Sequence, residues 1–187
     1  MSAAKLVPSG SQTVGPFFSI GLEYLVAQAP VNESSVDTIE IRGKVLDRDG
    51  APVSDAMLEF WGADPSGSYC DSVEHSSGHS SGFHRVATDL DGCFSLTLNK
   101  PGPTPLGDGR LQAPHMLVLV FSRGLLRHLI TRVYFDRDPA NTADPVLLEI
   151  PAERRNTLIA RSNANDSRVF QWNVILQGTN ETVFFAW

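Results

Sequence analysis

The sequence predicts a mainly β domain: an antiparallel β-sandwich with long loops and one short helix. Three observations carry that expectation. Apolar residues alternate at period two in several separate stretches. Turn pairs such as Asp49-Gly50 and Asp91-Gly92 punctuate those stretches. Only one segment carries a helical signature, and there is no internal repeat.

The elements follow in order. In TIEIRGKVLD, from Thr38, the residues Ile39, Ile41, Gly43 and Val45 share one face of a strand. After the turn at Asp49-Gly50, AMLEFWGA sets Leu58 and Phe60 on one face and Met57 and Trp61 on the other. This second strand is expected to be buried on both sides at its end. DLDG at 89–92 is the next turn, and CFSLTL then points Phe94, Leu96 and Leu98 inward. HMLVLVF at 115–121 is continuously apolar, which suits a central strand, and TRVYF at 131–135 follows. FQWNVIL sends Phe170, Trp172, Val174 and Leu176 one way, and TVFFAW closes the chain. Pro151 is placed to open a helix over PAERRNTLIA, with Leu158 and Ile159 on its inner side.

Two parts are expected. Residues 1–37 form an irregular N-terminal arm broken by Pro8, Gly10, Gly15, Pro16, Gly21 and Pro30. Its apolar residues Phe17, Phe18, Ile20, Leu22, Leu25 and Val26 suit docking on this domain or on a partner, and composition leaves both open. Residues 38–187 form the sandwich. Two long loops, 62–84 and 100–114, are rich in Ser and Gly or in Pro and Gly, and loops of that length commonly carry function.

Composition excludes several classes. With 187 residues, 42% of them hydrophobic, the chain buries a core without disulfide or metal staples. Its net charge is -6 and its basic residues are scattered, so no nucleic-acid surface is expected. No apolar run approaches the ~18 residues of a membrane span. The N-terminus lacks the apolar run of a signal peptide, so the expected location is the cytoplasm, with Cys70 and Cys93 as reduced thiols.

Two places offer histidines for metal ligation. His75, His79 and His84 are spaced by four and five, but the intervening SSG is poor helix former and a solvated loop is the plainer reading. His115 opens an apolar strand. A strand site wants a second ligand two residues on, and that position is Leu117, which has no lone pair to give.

Seven segments then line up, in order, with one family. They are SQTVGPFF (11–18), GKVLDRDGAPVSDAMLEFWGADPSGSY (43–69), TDLDGCFSLTLNKPGP (88–103), APHMLVLVFSRGL (113–125), LITRVYFDRDP (129–139), PAERRNTLIA (151–160) and QGTNETVFF (177–185). Together they resemble the intradiol ring-cleavage dioxygenases along nearly the whole chain. That family holds iron(III) with two tyrosines and two histidines. The resemblance maps these onto Tyr69, Thr104, His115 and Leu117, so two of the four positions carry no usable ligand. An arginine that active chains carry before the histidines is here Gln112.

The resemblance therefore implies the iron-free half of a two-chain enzyme within a large α/β hetero-oligomer. Iron(III) would sit in a β-type partner chain, and the substrates would be 3,4-dihydroxybenzoate and O2. No catalytic residue is expected here. Thr13, Gly15 and Pro16 match residues lining the partner's substrate pocket, and Arg132 is matched to the counter-charge for the substrate carboxylate. Many relatives have Tyr where this chain has Phe17. Two rivals are a stand-alone transthyretin-like binding module, which predicts export, and a self-sufficient homomeric dioxygenase, which Thr104 and Leu117 oppose.

Overall fold

The structure is a computed structural model and describes residues 9–15, 17–22, 38–69 and 82–186. Pro16, Leu25, Val26, Cys70, His75, His79 and Trp187 lie outside the described residues. The chain begins with a short helix, α1 (Phe17–Leu22), followed by β1 (Thr38–Leu46), β2 (Met57–Gly62), β3 (Phe83–Ala87) and β4 (Cys93–Asn99). A small hairpin of β5 (Thr104–Pro105) and β6 (Leu111–Gln112) precedes β7 (His115–Phe121) and β8 (Leu129–Phe135). After α2 (Pro145–Glu149) come β9 (Ile159–Ser162), β10 (Val169–Gln171) and β11 (Val174–Ile175).

Two leaves enclose one core. In one, β1 pairs with β4 antiparallel and with β10 and β11 parallel. In the other, β2 lies between β3 and β7, and β7 pairs with β8. Strand β9 joins the leaves, parallel to β8 and antiparallel to β10. The sandwich is thus largely antiparallel, with parallel pairings only where distant strands of the C-terminal third insert beside β1 and β8. Parallel neighbours need a long crossover, and those strands return from far along the chain. Ile41, Leu58, Phe60, Leu96, Val118 and Val133 fill the space between leaves and are almost fully buried, which gives the apolar periodicity its physical meaning.

Both turns read from the sequence are present, each closed by its leading aspartate. Asp47 Oδ1 accepts from Asp49 N and Ala51 N, and Asp89 Oδ1 accepts from Asp91 N and Cys93 N. Phe170, Trp172 and Val174 face inward as expected.

Several expectations are corrected. Loop 62–84 ends sooner, because Phe83 and His84 belong to β3; His84 pairs opposite Phe60 and is buried. Burial pulls its imidazole pKa down to about 4, so it is a neutral interior residue rather than part of a solvated loop. Loop 100–114 holds the β5–β6 hairpin. Trp61 is 47% exposed, so the end of β2 is open on its outer face. The helix over 151–160 contracts to a 3-10 turn, Arg155–Leu158, because Ile159 and Ala160 are claimed by β9. Helix α2 was not anticipated: Asp144 caps it and Pro145 opens it. Phe184 and Phe185 pack on this domain's own clusters. Among the described residues no helix is long and apolar enough to cross a membrane.

Gly43 is set by close approach. A Cβ there would lie 1.7 Å from the Trp172 carbonyl oxygen and 2.8 Å from Phe94 Cζ. The chain at Trp172 is itself fixed, since Trp172 N donates to the Arg42 carbonyl at 2.8 Å. Gly43→Ala is therefore expected to destabilise the full chain by more than about 3 kcal/mol in urea unfolding. Gly107→Ala, at a site with open space around it, serves as the comparison and should be near neutral. Equal midpoints for both variants would refute the close-packing argument.

Candidate functional site: the outer face of the β2–β7–β8 sheet

Side chains alternate along a strand, so residues that flank the core residues Met116 and Val118 face the opposite side. His115, Leu117 and Leu119 therefore lie on the outer face. Register carries that face across the sheet: Phe83 pairs with Trp61, Trp61 with Leu117, and Leu117 with Arg132. One step along, His115 pairs with Tyr134.

The loops over this end are locked together. Asp64 Oδ1 accepts from Ser66 N and Ser68 N, which tightens the turn before Tyr69. The Asp64 carbonyl accepts from Gly102 N at 2.9 Å. Gly67, at φ 85°, lies so close to Pro103 that a Cβ would come within 2.1 Å of its carbonyl oxygen. This docking brings the segment ending at Tyr69 against the segment leading into Thr104. Thr104 then pairs with Gln112 in the small hairpin.

A chain of hydrogen bonds runs through the cleft. Gln112 Nε2 donates to Thr104 Oγ1 at 3.3 Å, and Gln112 Oε1 accepts from Arg132 Nη1 at 2.8 Å. Arg132 Nη1 also donates to the Tyr134 hydroxyl at 3.3 Å, and that hydroxyl donates to Asp144 Oδ1 at 3.2 Å. Asp144 is fully buried. Its Oδ1 also accepts from Val146 N and Leu147 N, and its Oδ2 accepts from Ala113 N at 2.8 Å. One carboxylate thus caps α2, holds the approach to β7 and orients Tyr134.

His115 Nδ1 lies 2.8 Å from the Ala113 carbonyl, and its ring stacks on Tyr134 with centroids 5.5 Å apart. A carbonyl only accepts, so Nδ1 carries the proton and Nε2 keeps its lone pair. Burial first, then the Arg132 charge, pulls the His115 pKa down to about 4, so the ring is neutral at pH 7. Burial pushes the Tyr134 phenol above its usual range, so it stays protonated.

The residues do not fit a four-ligand iron(III) site. His115 Nε2 and the Tyr69 phenol are donors of the right kind. The Thr104 hydroxyl is engaged by Gln112, Leu117 has no donor atom, and the Arg132 guanidinium shares the cleft with them. Among the described residues no group of three or more His, Cys, Asp or Glu is arranged to hold a metal.

The structure groups Thr104, Gln112, His115, Leu117 and Arg132, and brings in the turn that carries Tyr69. Among the described residues Arg132 bonds to Gln112 and Tyr134 and not to the arm. Thr13 Oγ1 accepts from Gly124 N at 2.9 Å, in the turn between β7 and β8. Arg132 lies three residues along β8 from Leu129, roughly 10 Å at the usual strand rise. Asp144 and Tyr134 escaped the sequence reading. Asp144-Pro145 is the signature of a capped helix start, and it was the available signal.

A family model described as Dioxygenase matches residues 23–178. The protocatechuate 3,4-dioxygenase α chain of Burkholderia cepacia is 40% identical, covering 99% of both chains. The β chain of the same organism's enzyme is 27% identical, over 78% of this chain and 67% of its own. In fold, the chain is similar to 3-chlorocatechol 1,2-dioxygenase from Rhodococcus opacus 1CP, with a TM-score of 0.64 at 19% identity, covering 94% of this chain and 69% of that one. The chain belongs to the intradiol ring-cleavage dioxygenases. Within that family it is more similar to this α chain than to the β chain.

Asp144→Ala would leave the Ala113, Val146 and Leu147 amides and the Tyr134 hydroxyl without their acceptor. Each buried orphan costs about 1–3 kcal/mol, so the expected loss is about 4 kcal/mol or more in denaturant unfolding of the full chain. Tyr134→Phe, which removes one hydroxyl, should cost about 1 kcal/mol. A loss under about 1 kcal/mol for Asp144→Ala would show that this carboxylate does not anchor the cleft.

Proposed function

We propose that this chain is the non-iron-binding subunit of a two-chain dioxygenase that cleaves 3,4-dihydroxybenzoate with O2 to 3-carboxy-cis,cis-muconate. The catalytic iron(III) is held by a β-type partner chain. The observation that carries this reading is the cleft itself: Leu117 without a donor atom, Thr104 bound to Gln112, and a guanidinium among them. The similarity to chains named α and β of one enzyme supports a hetero-oligomer of both kinds.

In this reading the chain supplies shape and docking surface, and no catalytic group. The arm residues Thr13, Gly15 and Pro16 line the partner's substrate pocket. Thr13 ties the arm to the β7–β8 turn, and Gly15, at φ 72°, bends the backbone where a side chain would be strained. Phe17 and Ile20 are 78% and 67% exposed, an apolar face that the partner would cover. Arg132 serves the same pocket, as the counter-charge for the substrate carboxylate.

Co-expression with a β-type chain carrying all four ligands should give a stable complex that opens 3,4-dihydroxybenzoate. Removing residues 1–22 of this chain should break assembly or cut kcat/KM at least tenfold. Tyr69→Phe in this chain should leave activity and the visible tyrosinate-to-iron band unchanged. A Tyr69→Phe complex that loses either would show that this chain ligates the iron, and the proposal would fail.

A further inference from the structure

The turn between β7 and β8 meets the arm through one peptide group. Leu125 N donates to the Ser122 carbonyl at 3.3 Å, which closes a four-residue turn over 122–125. Gly124 stands at φ 84° and Arg123 has no positive φ, the pattern of a type II turn. A type I turn would rotate the Arg123–Gly124 peptide by roughly 180°. The type of turn therefore decides where the Gly124 N–H points, and here it donates to Thr13 Oγ1 at 2.9 Å. Among the described residues this is the one hydrogen bond that joins residues 9–15 to the sandwich.

The far side of that peptide is braced. The Arg123 carbonyl accepts from the Ser122 hydroxyl at 3.3 Å. Ser122 is buried, and its hydroxyl shares its one proton with Asp55 Oδ1 at 3.4 Å. Arg123 Nε lies 3.1 Å from Asp55 Oδ2. Asp55 stands in a connection that is itself held, since Thr88 Oγ1 donates to the Val53 carbonyl at 2.8 Å and accepts from Ala56 N at 3.0 Å. Asp55 thus joins the β1–β2 connection to the peptide that carries Thr13. A Cβ at Gly124 would meet nothing within 4 Å, so glycine is needed there for its backbone conformation and not for space.

We propose that the β7–β8 turn is a positioning element for the substrate pocket, with Gly124 and Asp55 as its positioning residues. Neither touches the substrate. They fix Thr13, and with it the bend at Gly15. The inference rests on the reading that the arm lines the partner's pocket. Loosening the turn lets the arm occupy more positions, which weakens substrate binding and leaves the iron untouched.

Steady-state kinetics of the assembled two-chain enzyme with 3,4-dihydroxybenzoate test it. Gly124→Ala disfavours the positive φ and should raise KM about 3- to 10-fold with kcat nearly unchanged. Gly124→Asn tolerates that φ and should recover most of the loss. Asp55→Ala releases the far side of the peptide and should raise KM in the same direction. Thr13→Val leaves the turn intact and should raise KM as much as Gly124→Ala, and the double variant should be no worse than either. A wild-type KM in Gly124→Ala, a loss in Gly124→Asn as large as in Gly124→Ala, or full additivity with Thr13→Val would each overturn the proposal. Deleting residues 1–22 separates it from the reading it rests on. A deletion that leaves kcat/KM intact overturns both, whereas a damaging deletion beside a silent Gly124→Ala overturns the positioning role alone.

Discussion

The fixed positive charge of Arg132 decides what this cleft can be. A guanidinium does not lose its proton at any working pH, so the charge cannot be titrated away. In an intermediate dielectric, two like unit charges 4 Å apart repel by about 4 kcal/mol, and a trivalent ion multiplies that. The neighbouring groups conform to the same charge. His115 is neutral, Tyr134 keeps its proton, and Gln112 turns its carbonyl oxygen toward Arg132 and its amide toward Thr104. The outer face of this sheet is organised around a cation of the chain's own.

That arrangement depends on the sheet. Strand β7 lies between β2 and β8, so its outward residues are aimed by ladders on both sides. Asp144 then ties the outer layer to the sheet by capping α2 and holding both Ala113 and Tyr134. A single buried carboxylate with this many donors is stable because its charge is met by hydrogen bonds rather than by a direct ion pair. The cost of the design is that the parts cannot change one at a time. A histidine placed at Leu117 would sit beside a guanidinium, with the Thr104 hydroxyl still bound to Gln112.

Much of the fold was legible because burial imposes a period. Ile39, Ile41 and Val45, or Phe94, Leu96 and Leu98, could face only one way once a strand formed. The parallel insertion of β10 and β11 beside β1 was not legible, since no local pattern encodes which distant strand is a neighbour. The contraction of the 151–160 helix has the same origin: Ile159 and Ala160 have helical company in sequence but a sheet to join in space. For the cleft, the resemblance singled out Thr104 and Leu117, and strand alternation placed Leu117 on the same face as His115. Neither supplied the hydrogen-bond path through Gln112, Tyr134 and Asp144, because those residues meet only after the hairpin and α2 fold over the sheet. The arm and Arg132 were singled out by resemblance, and the contact of Thr13 with the β7–β8 turn at Gly124 left no mark in the sequence.

The central claim is that this chain's cleft is built around a guanidinium and takes no iron. Metal analysis of the purified complex, with both chains quantified, tests it most directly. The account predicts one iron for each pair of α- and β-type chains. It also predicts none in this chain after the two are separated under conditions that leave the partner's iron in place. Two irons per pair, or stoichiometric iron retained by this chain alone, would contradict it.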